Sequence, residues 1–136
     1  MKFRKDGNTV VLRVEKGEDV NTCIEKVAEE LNLGFCSVSA IGSVCNSCLA
    51  YVGQNGTVKK EIPHRREMMA LGNISLKDEK RFAHIHAWLS DENMAVCSGH
   101  LVKAEVAITC EVVIAAAKKE VKRKQDLAVN YMVLDL

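Results

Sequence analysis

One stretch of this chain, residues 20–31, sets its apolar side chains at helical spacing, and strand-like sequence surrounds it on both sides. Val20, Ile24, Val27, Ala28 and Leu31 fall on one face, with Glu25, Glu29 and Glu30 on the other. Asp19 stands at the N-cap, and Asn32 and Gly34 stop the helix. Residues 9–15 alternate and are rich in Val, with Gly17 ending the run. Residues 36–41 and 44–52 read as two apolar strands parted at Gly42. Gln54, Asn55 and Gly56 then turn the chain into a hairpin with residues 57–62. Residues 66–76, interrupted at Gly72, and residues 82–90 follow, and Asp91, Glu92 and Asn93 make the next turn. Residues 94–98 form a short strand, 104–116 a long β-branched one, 118–124 a charged hairpin region and 131–134 a last strand. Turns this short favour antiparallel pairing. The fold class is therefore α+β: a mostly antiparallel, curled β-sheet with one main helix on one side of the core.

The 136 residues fit one domain spanning 1–136, since no repeat, linker or low-complexity segment divides them. Aromatic residues make up only 4% of the chain, so Val, Ile, Leu, Ala and Met must build most of the core. A net charge of +1 lacks the basic excess that drives phosphate-based nucleic-acid binding. The charged N-terminal residues have no apolar run behind them, and no stretch is long enough to span a membrane. Six cysteines without a secretory leader point to a reducing cytoplasm, where they serve as small apolar core residues. Cys45 and Cys48 have the spacing of a zinc or redox pair, but they lie in a strand and have no second pair.

Three of the four histidines fall between positions 84 and 100. His84 and His86 are two apart in a strand, so they share a face about 6.6 Å apart along the chain. Ser98-Gly99-His100 follows after one turn, and an antiparallel return of that length brings His100 beside the pair. Three imidazoles and an open position are the ligand set of catalytic zinc. Imidazole also suits copper, iron and nickel, so a divalent metal is the reading and zinc its default. A ligating histidine needs its second ring nitrogen held, and Glu67 or Glu111 is the candidate partner. The alternative is that His84 and His86 are an outward-facing polar pair, or are satisfied near the core, and ligate nothing.

The order and spacing of several segments resemble the plant-and-prokaryote conserved (PPC) domain family. They are Glu67-Met68-Met69-Ala70-Leu71, Gly72-Asn73-Ile74, His84-Ile85-His86, Ser98-Gly99-His100-Leu101 and Thr109-Cys110-Glu111-Val112-Val113-Ile114. Ala40-Ile41-Gly42, the strand and helix over residues 12–31, and the pair Arg123 and Asp126 fit the same pattern. The resemblance implies a compact α+β fold around an antiparallel sheet, a homotrimer, and a metal site at His84, His86 and His100. It also implies kinship with plant proteins in which an AT-hook precedes the domain and binds AT-rich DNA. The chain departs from the family at His64-Arg65-Arg66-Glu67-Met68-Met69, where Gly-Arg-Phe-Glu-Ile-Leu is usual, and at Glu79 and Arg81, where Gly and Pro are usual. The stretch before Gly72 is one residue short.

Two classes of function follow. The first is a metal-binding, homotrimeric binding or regulatory module, with DNA association through Lys118, Lys119, Lys122, Arg123 and Lys124 as its nucleic-acid variant. Pro63 lies in Ile-Pro-His, so there is no AT-hook, and no aromatic residues interleave the basic run to stack bases. The alternative is a metal-dependent hydrolase or lyase acting on a small molecule, with Glu67 or Glu111 as general base.

Overall fold

The computed structural model describes residues 1–53 and 56–136. Among them the chain forms β1 (Lys2–Asp6), β2 (Thr9–Glu15), α1 (Val20–Glu30), β3 (Cys36–Gly53), β4 (Gly56–Ile62), β5 (Arg66–Lys77), β6 (Lys80–Ser90), β7 (Val96–Ala116), β8 (Arg123–Asp126) and β9 (Tyr131–Leu134). The large sheet runs β1-β2-β7-β6-β5-β3-β4, and β3 also pairs with β7. That extra pairing closes β3, β7, β6 and β5 into a ring, so the sheet curls into a wall resembling a barrel. All of these pairings are antiparallel, which bears out the α+β class read from the sequence.

Helix α1 fills the concave side. Asp19 caps it, accepting from the Thr22 backbone N–H at 2.9 Å. Its buried face of Val20, Cys23, Ile24, Val27 and Ala28 joins one core with Ile85 and Leu89 of β6 and Val112 and Ile114 of β7. Each fully buried Leu or Ile contributes about 1.5–3 kcal/mol of transfer free energy. Among the described core residues, methionine is represented by Met68, whereas Cys23, Cys36, Cys48 and Cys110 are all buried. Cysteine therefore fills part of the role the composition assigned to methionine.

The structure corrects several element boundaries. Residues 36–41 and 44–52 are one strand, and so are 96–116, where two strands were expected. Gly42 does not end β3. A Cβ there would meet the Thr109 carbonyl oxygen at 2.6 Å, so the glycine permits close strand approach. The β3–β7 register shifts between Gly42 and Val44 and on both sides of Cys48, and Asn46 takes φ 45°. Such bulges bend a strand without breaking it. β1 was not anticipated, because its charged, exposed residues are those of a protected edge strand. The charged hairpin expected at 118–124 is instead irregular up to Val121, and the hairpin there is β8–β9. The turn expected at Gln54 and Asn55 lies outside the described residues; Gly56, just after it, has φ 113° and pairs with Gly53.

Candidate metal centre

Alternation along β6 sends Ala83, Ile85, Ala87 and Leu89 into the core and leaves Phe82, His84, His86 and Trp88 on the convex face. His86 lies directly opposite His100 of β7, and the β6–β7 ladder ends at that pair. Beyond it, helix side chains satisfy the backbone groups that the parting strands leave open. Glu25 Oε1 accepts from the Ala83 N–H at 3.0 Å, and Asn21 Nδ2 donates to the Leu101 carbonyl at 2.8 Å. The helix thus anchors the residue before His84 and the residue after His100. From the other side, Gly72 faces Ile85, and a Cβ there would run into the His84 carbonyl oxygen. Glycine lets β5 press against β6 at the histidines.

The three rings converge. Centroids lie 5.4 Å apart for His84 and His86, 5.2 Å for His84 and His100, and 5.6 Å for His86 and His100. One ring nitrogen from each lies within 4.8 Å of the others. His84 is half-buried, and burial, with Arg123, His100 and His86 beside it, pushes its pKa down to about 4. Burial, then His86 and Arg123, also lowers that of His100. Both rings are therefore neutral at pH 7 and present lone pairs without first losing a proton, which suits metal ligation. Their convergence on paired strands, with a cleft on either side, fits a three-imidazole metal site with room for a further ligand.

Arg123 approaches this cluster from β8. It donates to Ser75 Oγ at 2.8 Å, Asn73 Oδ1 at 3.1 Å and the Met132 carbonyl at 3.3 Å, and its Nη2 lies 3.3 Å from His84 Nδ1. A guanidinium only donates, so Nδ1 holds the lone pair and the His84 proton is on Nε2. One cleft, of about 390 Å³, is lined by the three histidines with Ala50, Val52 and Trp88 among others. A second, of about 450 Å³, lies on the far side of His84 and His100 and is lined by Val52, Lys77, Phe82, Arg123, Tyr131 and Met132.

The two candidate glutamates are not brought to the histidines. Glu67 lies opposite Ser90 and lines a separate cleft with His64, Arg66 and Asp91. Glu111 is exposed on β7 between Arg13 and Ile41. The basic segment is also divided by its surroundings. Lys118 and Lys119 are exposed, Lys122 pairs with Glu79 at 2.8 Å and Lys124 with Asp135 at 2.6 Å, while Arg123 turns inward. No ion pair joins Arg123 to Asp126 among the described residues; Asp126 instead accepts from the Ala128 N–H at 2.8 Å. Cys45 and Cys48 are free thiols, and no cluster of three ligating side chains among the described residues includes them. Sequence reasoning missed Phe82 and Trp88 as cleft residues, although the period that placed His84 and His86 also places them. Lys77, Tyr131 and Met132 carry no such signal, since they arrive from a hairpin end and from β9.

A small α+β domain with a closed antiparallel sheet, one helix in its hollow and three histidines on its convex face is the class that fold and site define. The profile of the Plants and Prokaryotes Conserved (PCC) domain matches residues 1–118, and the chain belongs to this family, the PPC domain of the sequence resemblance. Among solved structures, a metal-containing protein from Archaeoglobus fulgidus is 32% identical, with a TM-score of 0.88 over 100% of this chain and 99% of that one. A PPC protein from Pyrococcus horikoshii is 25% identical, with a TM-score of 0.85 over 99% and 96%. A protein from Bacteroides thetaiotaomicron, described as a "putative DNA-binding protein", shares 18% identity with a TM-score of 0.94 over 98% and 96%, and shows likeness of fold alone. No curated protein matches the chain. No helix among the described residues is long and apolar enough to cross a membrane.

Proposed function

We propose that this chain is a metal-binding module of the PPC family that holds one divalent ion, zinc by default, through His84, His86 and His100. One observation carries the reading: three ring nitrogens from paired strands come within 4.8 Å of one another, with His84 and His100 kept neutral. The description of the Archaeoglobus relative as metal-containing supports it. The test is the metal content of untagged protein. Wild type is expected to hold about one equivalent per chain, as a site of three protein ligands can, and His86→Ala far less. A wild-type stoichiometry near zero would sink the idea.

The module is read as a cytoplasmic homotrimer. Six free cysteines suit a reducing compartment. Val11, Ile41, Met69, Leu71, Trp88 and Val113 are 42–58% exposed on the convex face, and Leu71 lies directly opposite His86. A belt of this kind supports a surface that further copies of the chain cover. Light scattering is expected to give three times the 15.0 kDa chain mass; the mass of one chain would end the trimer reading.

DNA association is a second reading, supported by the name of the Bacteroides neighbour and by exposed Lys118 and Lys119. It predicts duplex affinity that falls steeply with salt. Absence of binding at low salt would remove it.

A further inference from the structure

The cleft beyond His84 has an unbalanced charge. Lys77 Nζ and the Arg123 guanidinium both stand over the Phe82 ring, 5.2 Å and 5.3 Å from its centroid. No carboxylate lines this cleft, and neither cation belongs to an ion pair among the described residues. Every acceptor that holds Arg123 is neutral: a hydroxyl, an amide oxygen, a backbone carbonyl and an imidazole nitrogen. Elsewhere in the molecule the pattern is the reverse. Buried Arg81 meets Glu120 at 3.1 Å, and Arg66 meets Asp91 at 2.7 Å. A partly buried guanidinium without a counter-ion, beside a second cation, is a place prepared for an anion.

Metal binding would sharpen this. A neutral imidazole bound to a metal carries its proton on the nitrogen away from the metal. If the metal takes His84 Nδ1, the lone pair that now accepts from Arg123 is gone. If it takes Nε2, the proton moves to Nδ1 and two donors face each other. In both cases Arg123 Nη2 loses its histidine acceptor and needs another. Phe82, Met132, Tyr131 and Val52 give the cleft an organic wall, and its volume of about 450 Å³ suits a small molecule.

We propose, resting on the metal reading above, that Arg123 and Lys77 form an anion subsite beside the metal. The subsite takes the carboxylate of a small organic acid whose second oxygen reaches the ion. Metal loading and acid binding then favour each other, because the metal releases the guanidinium that the acid occupies.

The test is calorimetric titration of zinc-loaded protein with lactate, with its neutral counterpart lactamide and with inorganic phosphate, zinc content being measured on the same samples. Lactate is expected to bind at least about tenfold tighter than lactamide, as one charge-assisted hydrogen bond would give. Zinc-free protein should bind lactate more weakly than loaded protein. Arg123→Gln should abolish the preference for lactate with zinc retained. Lys77→Met, at a hairpin end, should reduce it, and decides with the wild-type comparison if Arg123→Gln does not fold. Full zinc with no preference for lactate overturns the anion subsite alone. Phosphate binding tighter than lactate overturns the carboxylate class. Wild type that neither carries nor takes up a divalent metal removes the metal reading, and this inference with it, a failure that the metal assay on the same samples identifies as such.

Discussion

The histidine triad and the basic segment at 118–124 look alike in sequence: each is a short run of functional residue types. The fold treats them in opposite ways. His84, His86 and His100 are on paired strands whose register leaves their rings 5.2–5.6 Å apart. Of the basic residues, Lys122 and Lys124 are neutralised by Glu79 and Asp135, and Arg123 is drawn inward to the histidines. Strand pairing concentrates a function when side chains share a face and a register. A run whose side chains face different ways is divided among whatever acids lie near each residue. Of the basic run Arg123 alone reaches the histidines, because alternation along β8 turns it inward while Lys124 faces out.

The largest effect that would break this contrast is loss of the metal. At a free metal concentration of about 1,000 times Kd, linkage adds roughly 4 kcal/mol to the stability of wild type. Thermal unfolding with and without chelator should show that gain in wild type and not in His100→Ala; equal gains would show that the triad is not the ligand set. Next comes Arg123→Ala, expected to cost about 2–3 kcal/mol because it leaves polar partners unmet. Lys124→Ala, which removes an exposed pair, should cost no more than about 0.5–1 kcal/mol. Urea unfolding of the two variants checks the difference, and similar costs would erase it. Gly72→Ala should cost about 1–3 kcal/mol by overpacking β5 against the His84 carbonyl, and should weaken metal binding, whereas Gly7→Ala meets no neighbour and is strained only by its φ of 54°, so metal binding should not change.

A further effect, seen in metal-free protein, is on pH. In metal-free protein His84 has a folded pKa near 4 against an ordinary value of 6.5. Between these values the unfolded chain binds a proton that the folded chain refuses, so stability rises with pH across the window and falls as pH drops from about 6.5 towards 4. His100, shifted the same way, adds to the slope. Denaturant midpoints across that range should show it, and His84→Asn should flatten it; an unchanged slope would contradict neutral burial of His84.

Most of the site was legible because it depends on short-range geometry. A two-residue period placed His84 and His86 on one face, and one turn brought His100 back. What was not legible came from distance or from glycine. Arg123 reaches Asn73, Ser75 and His84 across 39–50 residues of chain, and nothing local marks that contact. Gly42 has the sequence signature of a strand end, yet it serves close strand approach. A missing side chain reads the same in both cases, and only the neighbouring strand distinguishes them. The helix was legible to within a residue or two, since its cap, period and stop agree.

The ring closure of β3, β5, β6 and β7 has a consequence for the order in which the molecule is made. β3 emerges early in synthesis, but its long partner β7 ends only at Ala116, and β2 also waits for residues 109–115. A nascent chain that has passed His86 therefore owns two of the three clustered histidines but no closed wall to hold them. Domains tend to fold as units once their sequence is complete, and pairings this far apart in the chain form slowly. The three histidines are thus brought together only once the chain through Ala116 has been made, so on the metal reading an ion meets a closed wall and not a growing strand.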